Sequence, residues 1–209
     1  MPLNAALFQA ACSSSPWDLG NEVLYSLCRT YPMHANEAAV IAKVWLIGRS
    51  YAAAIERRRE RPEDNDDFYI DVVAPQIVAS SIDQWLQQLA EYSHPNADSL
   101  PHILRMHAQV TALFGQISGL EKRSLASKYL HFHLPHLFYI YDTRAVKAMR
   151  KLSGIVGRAR GTPADVDLEY GKFALKCLRL QEHVTHVFGI TMLPRGLDNL
   201  LLRLHASKA

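Results

Sequence analysis

The stretch 119-GLEKRSLASKYLHFHLPHLFYIYDTRAVKAMRK-151 carries the densest structural punctuation in the chain. Gly119 follows a long apolar-striped segment and supplies a turn, because glycine adopts left-handed backbone without penalty. From about Lys122 to His133 the apolar residues Leu125, Tyr129 and Phe132 recur at helical spacing, and Pro135 stops the helix. A short apolar run, Phe138–Tyr141, leads to Asp142. That residue type at the head of Thr-Arg-Ala predicts an N-cap for a basic helix with Val146, Met149 and Leu152 on one side. Helix, turn, helix, proline turn, short run, capped helix: the reading is α-helical throughout.

Working outward, the same signals recur. Upstream, Pro101 opens a helix carrying Ile103, Leu104, His107, Val110, Leu113 and Phe114. Asp18 predicts the cap of a helix ending at Tyr31-Pro32. Asn36 predicts the cap of another, running from Glu37 to about Arg61 and apolar on nearly every face, hence central. Residues 68–92 read as a segment broken near Pro75, followed by a helix through Ile77, Ile82, Trp85 and Leu89. Downstream, Thr162-Pro163 predicts the start of a helix with Val166, Tyr170, Phe173, Cys177, Leu180, Val184 and Val187 on one stripe. Pro194 opens a last helix with Leu197, Leu200, Leu201 and Leu204. Two exposed loops are expected, an acidic one near 60–67 and a basic, glycine-bearing one near 153–162. No period-2 strand and no internal repeat is evident, so the fold class is all-α, a compact multi-helix single domain over 1–209.

Composition sets the outer bounds. The 209 residues are 49% hydrophobic and 21% charged, which is globular rather than disordered. No apolar run reaches the eighteen or so residues of a membrane span. Three scattered cysteines, Cys12, Cys28 and Cys177, read as reduced thiols and point to the cytoplasm. The net charge of +3 is unevenly divided. Residues 1–100 carry 7 basic against 13 acidic side chains, and residues 101–209 carry 16 against 7. Between Arg144 and Arg160 lie six basic residues and no acid. Such a half is suited to a polyanion, since clustered Lys and Arg neutralise phosphates and release counterions; a solvated basic face is the alternative.

The layout from Gly119 to Lys151 resembles the helix–hairpin–helix DNA glycosylases, with the hairpin-bearing element near 103–134. Lys122 stands where that family has a lysine at the head of the second helix, and Asp142 where it has an aspartate about twenty residues on, capping the next helix. The resemblance implies a DNA-binding domain acting on a base flipped from the duplex. It implies Lys122 as an amine nucleophile at C1′ and Asp142 as the carboxylate that offsets positive charge on the sugar. It also implies phosphate contacts from Arg144, Lys147, Arg150 and Lys151. Lys128, about 120° round the helix from Lys122, either flanks the apolar face and reaches a cleft or snorkels outward. Here the hairpin has Glu121 in place of a second glycine.

Other constellations read as structural. His131, His133 and His136 crowd together, and His183 and His186 are spaced i, i+3, but no Cys or carboxylate completes a ligand set, so no metal is expected. No Walker loop, GxGxxG or HExxH implies a small-molecule cofactor. Arg49 is expected to form a core ion pair, with a phosphate contact as the alternative, and Arg195 with Asp198 a surface pair at i, i+3. The rival functional class is a non-catalytic protein–protein interaction or dimerisation domain, using the Val166–Val187 stripe to seat a partner helix or a homo-oligomer mate.

Overall fold

A computed structural model describes residues 3–57, 65–158, 163 and 165–206 of the chain, the side chains of Asn65 and Asp66 excepted. Every regular element among them is helical. The order is α1 (Ala5–Cys12), α2 (Asp18–Thr30), α3 (Glu37–Ser50), α4 (Asn65–Phe68), a π-helical turn (Tyr69–Val73), α5 (Ala74–Val78), α6 (Ile82–Gln88), α7 (Leu100–Ser118), α8 (Arg123–His133), α9 (Thr143–Lys151), α10 (Ser153–Val156), α11 (Leu168–Phe188) and α12 (Pro194–Ala206). None is long and apolar enough to cross a membrane.

The core falls into two clusters. The first gathers Val40, Val44 and Ile47 of α3 with Tyr69, Val73 and Ile77, the inner side of α7, and Leu125, Tyr129 and Phe132 of α8. The second gathers Ala145, Ala148 and Met149 of α9 with the α11 stripe and Leu197, Leu200, Leu201 and Leu204 of α12. α7 feeds both, sending Ile103 and Met106 to the first and Leu100 and Leu104 to the second. The extended run after α8 crosses between them, Phe138 ending the first cluster and Tyr139 starting the second.

Punctuation placed most boundaries. Asn36 caps α3, accepting from Ala39 N–H at 2.9 Å, and Asp142 caps α9, accepting from Arg144 N–H at 2.7 Å. Gly119 closes α7 at φ 72°, its N–H returned to Gly115 O at 2.8 Å. Pro101 and Pro194 stand in first turns, as expected.

Several boundaries differ from expectation. α3 stops at Ser50 rather than near Arg61: Ala52 takes a left-handed φ of 51°, and Ala53 N–H bonds to Gly48 O at 2.7 Å. The chain folds back so closely that a Cβ on Gly48 would lie 3.0 Å from Ala54 Cα. Asp18 lies in the first turn of α2 rather than capping it; its carboxylate accepts from Ser15 N–H (2.7 Å) and Ser15 Oγ (2.9 Å) and ties the turn before. Ile77 and Ile82 belong to separate helices. Pro75, with no N–H for the preceding turn, goes with a π turn in which Ala74 N–H reaches back to Tyr69 O. The α11 helix starts at Leu168, where Asp167 accepts from Glu169 and Tyr170 N–H, both at 3.0 Å; Val166 precedes it. Of the expected basic loop, 153–156 is helical, while 159–162 lies outside the described residues, as do residues 58–64 of the acidic loop.

α1 has no counterpart in the sequence reading. It packs on α12, with Asn199 Nδ2 donating to Ala11 O at 3.1 Å, and Phe8 against the Phe188 ring at 4.7 Å. Helices of eight residues are marginal alone in water, so packing rather than propensity forms it.

Candidate functional site

Of the residues singled out by sequence, Lys122, Lys128, Asp142 and Arg144 stand in or beside the first turns of α8 and α9, while Lys147, Arg150 and Lys151 lie further along α9. The chain between the helices is held to α8 by its own backbone. Tyr141 N–H donates to Ser127 Oγ at 3.0 Å, and Tyr141 O accepts from Ser124 Oγ (3.1 Å) and Lys128 Nζ (2.8 Å). Further back, His131 Nδ1 donates to Phe138 O at 2.8 Å and Tyr170 OH to Tyr139 O at 3.1 Å. These bonds leave the run little freedom and set the position from which Asp142 caps α9.

Lys128, expected either to flank the apolar face and reach a cleft or to snorkel outward, is 1% exposed. Its ammonium donates to Ser124 Oγ at 2.7 Å as well as to Tyr141 O. Burial pushes its pKa down to about 8, with the Asp142 and Asp198 charges opposing. Six residues from Lys122 on one helix, it points inward because Leu125, Tyr129 and Phe132 around it fill the first core. Asp142 is half-buried. Burial raises its pKa, but the Arg144 N–H, Lys128 and the Arg144 guanidinium (3.3 Å) together outweigh burial and hold the carboxyl below its ordinary value.

Lys122 stands at the N-cap of α8. Its ammonium donates to Arg57 O at 2.8 Å and lies 3.5 Å from Ala54 O, carbonyls presented by the fold-back over Gly48. Together with Ala52–Ala54, Arg57, Ser124 and Thr143, it lines a cleft of about 340 Å³. Lys122 and the residue after Asp142 therefore share one cavity, while Asp142 itself caps the helix behind it. Glu121 is exposed and pairs with Arg123.

Of the basic residues on α9, Arg144, Lys147, Arg150 and Lys151 are exposed. Lys151 nevertheless donates to Leu204 O at 2.9 Å, which makes it a tie to the end of α12. Lys147 and Arg150 have no hydrogen-bond or ion-pair partner among the described residues.

Comparison with family models, curated proteins and solved structures finds no match to this chain.

The sequence reading missed the group behind Asp142. Arg195 and Asp198, expected as a surface pair, sit deeper: Arg195 Nη1 lies 3.3 Å from Asp198 Oδ2, the Asp198 side chain is 5% exposed, and Arg195 is partly buried. The Arg195 guanidinium sits over the rings of Tyr25, Tyr51 and Phe132 at 5.6–5.8 Å and donates to Tyr25 OH at 3.0 Å. Tyr25 OH then donates to His131 Nε2 (2.7 Å), whose Nδ1 proton is spent on Phe138 O; the chain of donors fixes the tautomer. Burial lifts the Asp198 pKa to about 6, against the pull of Arg195 and Lys128. Asp198 Oδ1 and Arg195 Nη2 are buried without partners among the described residues. No local spacing announces this, because its members come from α2, the end of α3, α8 and α12.

Among the described residues no group of three or more His, Cys, Asp or Glu is placed to hold a metal ion. The Val166–Val187 stripe packs into the second core, leaving only Val187 exposed. Arg49 pairs with Glu56 at 2.7 Å, but its side chain is 45% exposed, so the pair lies at the surface rather than in the core as expected.

Proposed function

We propose that the chain is a nucleic-acid-binding, DNA-glycosylase-like protein that receives a nucleotide at the cleft where α8 and α9 begin. The observation that carries this reading is the shared cavity, in which Lys122 and Ser124 of one helix start face Thr143 of the other, next to the capping Asp142. Lys122 lines that cleft; leaving the Arg57 carbonyl, its amine attacks C1′, its proton passes to the departing base, and an imine to the opened sugar results, whereas Lys128 lines no part of the cleft. Asp142, kept ionised by its neighbours, offsets positive charge developing on the sugar. The unpartnered Lys147 and Arg150 on α9, with Arg144, supply phosphate contacts.

Borohydride trapping on abasic-site and damaged-base duplexes tests the chemistry. A covalent adduct lost in Lys122→Ala is the expected result, and an undiminished adduct in that variant overturns the lysine's role. Salt-dependent binding to plain duplex tests the surface. Replacing Lys147 and Arg150 by alanine should weaken binding and flatten the log–log salt slope by about two units.

A second reading, a protein-interaction domain, is favoured by a separate face. Trp17, Leu19 and Val23 around α2 are exposed at 78%, 79% and 56%. Light scattering across protein concentration, with Leu19→Glu as the contrast, distinguishes a self-association surface from an unused one.

A further inference from the structure

A second recess opens beside Tyr141. It lies between α9 and α11, has a volume of about 150 Å³, and is floored by Tyr141, Val146, Met149 and Phe173. Its rim carries Arg150 from α9 and Lys172 and Lys176 from α11, with Glu169 as the one acid. Glu169 is neutralised by Lys172 at 3.0 Å. Most cations nearby are engaged: Arg144 with Asp142, Lys151 with Leu204 O, and Arg179 with the carbonyls of Val156 and Arg158. Arg150 and Lys176 have no hydrogen-bond or ion-pair partner among the described residues, and both stand on this rim.

We propose that the recess is a subsite for one unpaired base of a single-stranded nucleic acid, its ring against Tyr141 and Phe173 and its phosphate between Arg150 and Lys176. The volume is about half the lower bound for drug-sized ligands, which suits one planar ring with its phosphate left at the rim. The Tyr141 ring is held in place: Phe173 meets it edge-on at 5.3 Å, and the Arg123 guanidinium lies 5.6 Å from its centroid. A fixed aromatic surface beside free cations is the combination that binds single strands, since every base has a π-face to stack. A base inside a duplex is stacked on its neighbours and does not enter a concave recess between helices. Tyr141 lines this recess and Thr143 the Lys122 cleft. Two residues of chain span at most about 7 Å between Cα atoms, so adjacent nucleotides of one strand reach both. The inference rests on the nucleic-acid reading above and names the strand form it applies to.

The test is fluorescence anisotropy with a labelled oligothymidylate, the same oligomer carrying reduced (tetrahydrofuran) abasic sites, which form no imine, and a plain duplex, each across a salt series. Tyr141→Leu keeps the apolar volume and removes the π-face. It should weaken oligothymidylate binding about tenfold and leave the abasic oligomer and the duplex unchanged. Tyr141→Phe should bind as the parent does. Lys176→Glu, on a partly exposed helix position, should weaken both single strands and lower their salt slope. Equal losses for thymidylate and abasic oligomers in Tyr141→Leu, or no loss in either, overturn the base subsite. A parent protein that binds duplex but not single strands overturns the subsite and leaves the DNA reading standing. One that binds neither removes both.

Discussion

Ala52 holds a left-handed backbone at φ 51°, a conformation that costs a residue with a Cβ roughly 1–2 kcal/mol. Ala52→Gly should therefore raise stability by about 1 kcal/mol, read as a higher urea midpoint at unchanged m-value. A lower midpoint would show that the turn gains more from the alanine methyl than it loses in strain. Lys128 makes a different demand. Removing its ammonium leaves Tyr141 O and Ser124 short of a buried donor, so Lys128→Ala should cost about 3 kcal/mol. Because the side chain does not reach solvent, nucleic-acid binding by the folded fraction should keep its salt slope; a slope lower by one unit would return Lys128 to the phosphate-contacting surface. At this scale the sequence was legible where a position coincides with a local signal: Asp142 caps α9 as its place before Thr-Arg-Ala predicts, and Lys122 stands at the head of α8. Arg195 and Asp198 were misread because i, i+3 spacing describes an exposed and a buried pair equally well. What buries them is Tyr25, 170 positions away.

α11 is the element most dependent on one side chain. Asp167 caps it and also accepts from Arg123 Nε at 2.6–2.7 Å, joining the start of α11 to the start of α8. Asp167→Ala should lower stability by about 2 kcal/mol, a cap and a partly buried pair together, and Asp167→Asn by about half that, since asparagine still caps. Thermal melts of the two variants check the order; an asparagine variant as weak as the alanine one would assign the loss to the ion pair alone. Element starts and stops were legible wherever proline, glycine or a capping side chain marks them, as at Asn36, Pro101, Gly119, Asp142 and Pro194. They were misplaced where a long-range contact decides. α3 ends because its successor folds over Gly48, which no residue of α3 predicts. α11 starts after Thr162-Pro163 because Asp167 finds Arg123 on a distant helix. α1 exists because α12 is there to pack against.

Across the whole molecule, four histidines are enclosed as neutral rings. Burial pushes His34 down to about 4, His107 and His131 to about 3, and His133 well below its usual value. Each is protonated near pH 6.5 once unfolded but not in the fold. Their contribution is thus complete above pH 6.5 and lost as pH falls towards 4. With up to four protons taken up, stability should drop by as much as about 5 kcal/mol per pH unit in that window. Asp198, raised to about 6, acts in the opposite sense and offsets part of the loss. Urea midpoints at pH 7.5 and 5.5 should differ steeply, and near-equal midpoints would mean that the rings open to water before the fold is lost.

The pairing of α1 with α12 also orders events in time. Translation delivers α1 first, yet its docking face is not complete until α12 has left the ribosome some 180 residues later. The first core, built from α2 to α8, has all its parts earlier and can assemble during synthesis, while Phe8 and Ala11 wait in solvent. Closing so long a loop is slow relative to local helix packing. Between the two, the nascent chain carries α1 with its apolar face undocked, and a chaperone that grips such segments would find this one open until α12 arrives.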